Sequence, residues 1–248
     1  MSDFNRGFPR AASAPADMAV DAGLRAFMLG VYNKLALGLV LSAAMAFLTG
    51  DYPPVRDLMF HVRDTGQIGY TPLGMVVAFA PLAILLISGI TRSAFSPQTS
   101  GLVYWAIVTL VGASLGTVVL LYTGASIATT FLITAAAFGA LSLAGYTTKK
   151  DLSGFGSFLL MGLVGIVLAM VVNLFLHSGA LAFMVDVLGV FIFAGLIAYD
   201  TQNLKMTYYQ FGANSQALGV ATNYGALRLY LNFINLFQFL LSFTGQRR

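Results

Sequence analysis

Long apolar runs, separated by short polar connectors, dominate the chain. Crossing the hydrocarbon core as a helix takes about 20 residues, and windows of that length give seven candidate transmembrane segments. The segments cover residues 26–49, 71–91, 101–122, 126–146, 157–176, 181–200 and 225–244. The pattern therefore predicts an all-α, polytopic integral membrane protein built as a seven-helix bundle.

Polar stretches precede and connect these segments. Residues 1–25 contain arginine, proline, alanine and serine, which predicts a flexible N-terminal tail before a transmembrane domain at residues 26–248. Two connectors, Asp51 to Tyr70 and Lys205 to Tyr224, are longer than the others. All connectors are too short for a soluble catalytic domain.

The composition narrows the possible chemistry. Hydrophobic residues make up 58% of the chain and charged residues 9%, as is typical of membrane proteins. Cysteine is absent and only two histidines occur, which argues against disulfides, thiolate nucleophiles and cysteine- or histidine-rich metal sites. No Walker loop, dinucleotide fingerprint, H-E-x-x-H motif or catalytic triad candidate is found. The sequence therefore predicts neither an enzyme nor a resident cofactor.

The positive charges lie mainly at the ends of the apolar runs. With a net charge of +4, this placement points to lipid head groups as partners rather than nucleic acid. An N-terminus in the cytoplasm puts most of the lysines and arginines on the cytoplasmic side. Arg247 and Arg248 do not fit seven full crossings, so a re-entrant last segment stays open beside a spanning one.

Ionisable and amide side chains interrupt two of the apolar segments. Asp200 ends an apolar run, residues 185–199, that only Asp186 and small glycines break. A charge at such depth is costly, so an intramembrane acid indicates a functional site. The last segment carries polar residues that would be poorly placed against acyl chains, which predicts a central helix. They are Arg228, Asn232, Asn235 and Gln238.

Three stretches resemble the Bax inhibitor-1 (TMBIM) family, whose bacterial members include YccA-like and YetJ-like inner-membrane proteins. They are GYTTKKDLS at 145–153, which continues into FLLMGL at 158–163, GLIAYDTQNLK at 195–205, and LRLYLNFINLF at 227–237. Their order and spacing match along most of the chain. The resemblance implies a multi-pass protein of the bacterial inner membrane, with the last helix near the bundle centre.

The resemblance also implies a function and a set of site residues. Family members act as pH-sensitive calcium leaks or as modulators of membrane stress and proteolysis. Characterised members carry two facing aspartates, and an arginine at the cytoplasmic end of the second helix. Asp200 matches the first aspartate and Arg92 the arginine, whereas Asn232 stands where the second aspartate is expected.

The asparagine changes the expected chemistry of this pair. Two carboxylates within hydrogen-bond reach share a proton and titrate as a unit. Asn232 removes that coupling, although its amide can still donate to an ionised Asp200 and favour the charged form. We therefore expect gating that depends less on pH than in a relative with two aspartates, or that is biased towards one state.

Several residues have two interpretations. Arg92 either latches Asp200 or marks the cytoplasmic boundary, and Arg228, one turn before Asn232, is a rival partner for Asp200. Asp186 lies fourteen residues before Asp200, within roughly 40° of the same helical face and about 21 Å away along the axis. It is either a second acid on an ion path or a solvated boundary residue.

Other residues have structural interpretations. Snorkelling to the interface accounts for Lys34 without any function. Gly112 and Gly116 have the G-x-x-x-G spacing, for which packing inside one bundle is favoured over dimerisation.

The sequence is compatible with two main functions. The first is a passive cation conduit, in which Asp200 makes a weak, transient contact with transported Ca²⁺, because one carboxylate cannot build a tight calcium site. The alternative is a regulator of a membrane-anchored ATP-dependent protease and of the membrane stress response, without transport activity. An intramembrane hydrolase is disfavoured, since Asp200 has no second acid beside it in the sequence motifs.

Overall fold

The computed structural model describes residues 14–62, 68–91, 96–212 and 214–248. In chain order its elements are α1 (Ala14–Asp51), α2 (Pro53–Met59), β1 (Phe60–Val62), β2 (Ile68–Tyr70), α3 (Pro72–Thr91), α4 (Pro97–Ser114), α5 (Gly116–Leu121), α6 (Gly124–Thr147), α7 (Ser153–Leu176), α8 (Gly179–Phe211) and α9 (Ser215–Thr244).

Seven helical segments in the described residues are long and apolar enough to cross a membrane. They are Ala22–Asp51, Pro72–Gly89, Pro97–Leu121, Gly124–Thr147, Ser153–Leu176, Gly179–Phe211 and Ser215–Thr244. Each one contains most or all of one predicted segment. The prediction of an all-α bundle with seven membrane spans is confirmed.

Polar side chains fix where four of these helices begin. Each accepts a hydrogen bond, 3.0 to 3.3 Å long, from the backbone amide three residues later, which satisfies a free donor of the first helical turn. They are Ser96 before α4, Thr123 before α6, Ser178 before α8 and Asn214 before α9. At its C-terminal end, α7 stops at Leu176, and the next residue, His177, has a left-handed φ of 49°.

The connectors differ from the sequence prediction. Lys205 to Tyr224 is not a long connector, because α8 continues to Phe211 and α9 begins at Ser215. Hydropathy falls after Asp200, which is why the sequence predicts a connector there. The more polar residues that follow Asp200 nevertheless remain helical up to Phe211. Asp51 to Tyr70 contains α2 and an antiparallel hairpin of β1 and β2.

The N-terminal boundary also differs from the prediction. Helix α1 begins at Ala14, so residues 14–25, for which the sequence predicts part of a flexible tail, are helical. Residues 1–13 lie outside the described part of the chain.

Helix α9 lies at the centre of the bundle. The apolar window of this span is 61% buried, compared with 11% for α7 at the periphery. It packs against α1, α4, α6 and α8. Its 30 residues form one continuous helix about 45 Å long, which is enough to cross the membrane. The structure therefore favours a spanning last segment over a re-entrant one.

The helix termini define two ends of the bundle. At the basic end, which carries Arg25, Lys149, Lys150 and Lys205, the start of α1 meets the end of α8 through the rings of Phe27 and Tyr208, 5.8 Å apart. The opposite end carries the β1–β2 hairpin and is called the hairpin end. There, the backbone of Arg247 pairs with that of Tyr122, which follows α5. The C-terminus therefore lies at the opposite end from the start of α1.

Glycines bring α4 and α5 close to α1. The two helices form one span with an irregular turn at Leu115. A Cβ atom at Gly112 would lie 2.6 Å from the Cα of Ser42, and one at Gly116 would lie 2.4 Å from Oγ1 of Thr49. The G-x-x-x-G spacing thus serves packing inside the bundle, because without a hydrophobic driving force helices in lipid associate through close contact.

We expect Gly112→Ala to destabilise the protein by about 1–3 kcal/mol, because the new methyl group meets the backbone of α1. The matched control is Gly165→Ala in α7, where a Cβ meets no atom within 4 Å. That variant should be unchanged or slightly more stable, since alanine favours helix. Thermal unfolding in detergent measures both, and equal melting temperatures would contradict the packing role.

Candidate functional site

The strongest candidate site lies between α8 and α9, where Asp200 faces the central helix. Asp200 is 8% exposed and Asn232 is 6% exposed. The Nδ2 atom of Asn232 donates to Oδ2 of Asp200 over 2.7 Å. The Asp200 to Asn232 contact considered from the sequence is therefore formed, and it joins two helices in the buried part of the bundle.

Arg228 contacts the other oxygen of the same carboxylate. Its Nη1 atom lies 3.7 Å from Oδ1 of Asp200, which is an ion-pair distance but too long for a hydrogen bond. The Arg228 side chain is 46% exposed, so solvent weakens this pair. Since Asn232 follows Arg228 by one helical turn, consecutive turns of α9 hold both oxygens of Asp200.

A small cavity lies beside this cluster. Its volume is about 30 Å³, and Asp200 and Arg228 form part of its wall. The remaining wall residues belong to the same two helices: Asn203, Leu204, Thr207, Ala221, Tyr224 and Gly225. A water molecule needs roughly 10–15 Å³ of such volume, so one or two small species fit next to the carboxylate.

Asp186 also faces α9, at a different depth from Asp200. The hydroxyl of Ser242 donates a hydrogen bond to its carboxylate. Both aspartates of α8 thus contact the central helix, as their spacing along the helix suggests. Asp186 also lines an open cavity of about 490 Å³ between α7 and α8, next to Asn173 and His177.

Apolar side chains fill the helix interface between the two aspartates. The rings of Phe193 and Phe239 have centroids 5.7 Å apart, and a Cβ at Gly189 would lie 2.7 Å from the Phe239 ring. Leu196 and Ile197, at 3% and 0% exposure, continue this packing towards Asp200. Packed apolar side chains therefore occupy the interface between the two carboxylates.

Arg92 lies outside the described residues, so its expected contact with Asp200 has no structural description. Within the described part of the chain, the arginine that contacts Asp200 is Arg228. Among the described residues, no group of three histidines or acids is close enough to hold a metal ion. A cation at this site would meet one carboxylate, whereas Ca²⁺ prefers six to eight oxygen ligands.

Sequence reasoning missed a second polar cluster, around Lys34. Its ammonium donates to Oδ1 of Asn223 and lies over the rings of Tyr104 and Trp105, 5.4 and 5.8 Å from their centroids. Asn223 in turn donates to Ser100, which joins α9 to α4. Lys34 therefore connects three helices instead of only snorkelling, and no local sequence signal marks this contact.

Hydroxyl groups form two further links across the bundle. Ser42 and Tyr230 have oxygens 2.6 Å apart, which connects α1 to α9. In the second link, Ser142 of α6 lies 2.6 Å from the Tyr32 hydroxyl and 3.1 Å from that of Thr201. Thr201 directly follows Asp200, so this link anchors the same turn of α8 to α1 and α6.

The fold and the polar contacts inside the bundle together define a class of protein. It is a multi-pass membrane protein with seven helical spans, whose central helix carries the polar partners of a buried acid. Residues 24–248 match the family described as inhibitor of apoptosis-promoting Bax1, and the chain belongs to this Bax inhibitor-1 family.

Several bacterial relatives are similar along nearly the whole chain. A protein of Caulobacter vibrioides is 62% identical over 249 residues, which cover 100% of both chains. Protein RP147 of Rickettsia prowazekii is 43% identical, over 92% of each chain. Inner membrane protein YbhL of Escherichia coli is 42% identical, over 92% of this chain and 94% of its own.

We expect Asn232→Leu to destabilise the protein by about 1–3 kcal/mol, because the buried carboxylate loses its hydrogen-bond donor. Replacing both partners, in Asp200→Leu with Asn232→Leu, should cost clearly less than the sum of the two single changes. Thermal or chemical unfolding in detergent gives this coupling energy.

The matched control for this cycle is Asn235→Leu, one turn further along α9. Among the described residues, the Asn235 amide donates only to the carbonyl of Leu231 in its own helix, so its removal leaves none of their carboxylates without a donor. If the destabilisation of the double variant at Asp200 and Asn232 equals the sum of the two single ones, their contact contributes nothing specific to stability.

Proposed function

We propose that the protein is a passive cation conduit of the bacterial inner membrane, similar to the calcium leaks of its family, with transported Ca²⁺ as the expected ion. The observation that supports this proposal most strongly is the buried Asp200, with both carboxylate oxygens facing partners on α9. Intramembrane acids of this kind are costly and mark ion or proton pathways.

The proposed conduit follows the interface of α8 and α9. Asp186 and Asp200 both face α9 and are about 21 Å apart along the axis of α8. The aromatic and aliphatic packing between them corresponds to a closed state in this proposal. Opening requires α8 to move relative to α9, which breaks the contacts of Asp200 with Asn232 and Arg228.

The proposed pH response follows from the chemistry of Asn232. A side-chain amide does not exchange a proton with a neighbouring carboxylate at neutral pH, so Asp200 and Asn232 cannot share one. The coupled titration of two facing aspartates that share a proton is therefore absent. In this proposal the gate responds weakly to pH, and a cation that competes for Asp200 replaces protonation as the opening event.

We expect calcium influx into dye-loaded liposomes that contain the purified protein, with a shallow dependence on pH between 6 and 8. Asp200→Ala should reduce the flux at least tenfold, since it removes the carboxylate from the path. Asn232→Asp should introduce a clear pH step, because the two carboxylates must then share a proton. Asp57→Asn is the matched control, as Asp57 is an exposed acid of α2.

The outcomes of this experiment separate the two main functions. Flux that persists in Asp200→Ala, or a steep pH step in the wild type that Asp200→Asn abolishes, would contradict the proposed gate. Absence of flux in every variant would instead favour the alternative, a regulator of a membrane-anchored ATP-dependent protease. That alternative predicts co-purification with such a protease.

We also propose that the basic end faces the cytoplasm, following the positive-inside rule. The absence of cysteine allows single-cysteine labelling of the otherwise native chain. A membrane-impermeant maleimide added to intact spheroplasts should label Asp57→Cys at the hairpin end. It should label Lys150→Cys only after the membrane is permeabilised, and the reverse pattern would invert the proposed topology.

A further inference from the structure

A groove opens to the outside of the bundle between α1 and α6. Its volume is about 510 Å³. The wall residues are mostly apolar and lie within the membrane-spanning parts of the two helices: Met28, Leu29, Phe138, Gly139 and Leu143. Leu29 and Leu143 are 49% and 63% exposed, so the groove faces the surroundings of the bundle.

The residues that line the groove define its floor and its depth. Tyr32 and Ser142 line it and join α1 to α6 through hydroxyl oxygens 2.6 Å apart. From Tyr146 to Gly139, the groove follows α6 for about 10 Å, or two helical turns, into the span. A Cβ at Gly139 would meet no atom within 4 Å, so the inner part of the groove is open beside this residue.

The groove has basic side chains where it reaches the basic end. Arg25 lines it from α1. The ammonium of Lys205, on α8, donates to the carbonyl of Tyr146 over 3.3 Å and lies 5.3 Å from the Tyr146 ring centroid. Tyr146 is itself a wall residue. Arg25 thus lines the outer part of the groove and Lys205 lies against one of its wall residues, whereas the inner part is mostly apolar.

We propose that this groove binds one anionic phospholipid, with an acyl chain between α1 and α6 and the phosphate between Arg25 and Lys205. The charge of the rim and its position at the head-group end of an apolar groove favour this occupant over a peptide or a second protein copy. Basic pockets between transmembrane helices bind anionic head groups in this way. The site does not depend on the proposed conduit.

The proposal can be tested by native mass spectrometry of the purified protein in detergent. Phosphatidylglycerol and phosphatidylethanolamine with identical acyl chains are titrated separately. One phosphatidylglycerol should bind in preference to phosphatidylethanolamine. Arg25→Gln with Lys205→Gln should weaken phosphatidylglycerol binding about fivefold for each cation removed. Lys149→Gln with Lys150→Gln is the charge-matched control and should leave binding unchanged.

A second pair of variants tests the groove itself. Gly139→Phe should fill the inner part and abolish preferential binding, whereas Gly165→Phe places the same ring on α7, where a Cβ also meets nothing within 4 Å. Melting temperatures confirm that both variants are folded. Equal binding of the two lipids, unchanged binding in Gly139→Phe, or a protein dimer that Gly139→Phe dissociates would each overturn the proposal.

Discussion

The polar side chains of α9 impose the main constraint on this structure. Amide, guanidinium and phenol groups cannot be left against acyl chains without partners, so the helix that carries them must be enclosed. Three of them find partners on neighbouring helices: Asn223 with Lys34 of α1 and Ser100 of α4, Tyr230 with Ser42 of α1, and Asn232 with Asp200 of α8. Satisfying these groups places α1, α4 and α8 around α9.

The same constraint separates rigid from movable parts of the bundle. Between α1 and α4, glycines allow backbone contact, and the Lys34 cluster adds polar links, so these helices form a fixed frame with α9. At α8, polar contacts with α9 are concentrated at Asp200 and Asp186, with buried aromatic rings between them. A displacement of α8 relative to α9 therefore breaks few hydrogen bonds between these two helices.

Hydropathy was sufficient to predict the seven spans, and the polar residues of the last segment predicted its central position. The helical continuation of α8 to Phe211 was missed, because helix can persist where hydropathy has faded. Helical spacing placed Arg228 beside Asn232, but only interhelical geometry shows that Arg228 reaches Asp200. The pairing of Lys34 with Asn223, which are 189 residues apart, leaves no periodic signal in a single sequence.

Asn232 determines how the buried acid can act in the proposed conduit. With an ionised Asp200 and a protonated Arg228, the cluster has no net charge, and Asn232 adds a donor but no titratable proton. A cation that approaches Asp200 must compete with a half-exposed arginine, whose displacement into water is inexpensive. In the proposed conduit, the ion that passes would itself release the contact between α8 and α9, so that no separate opening step is needed.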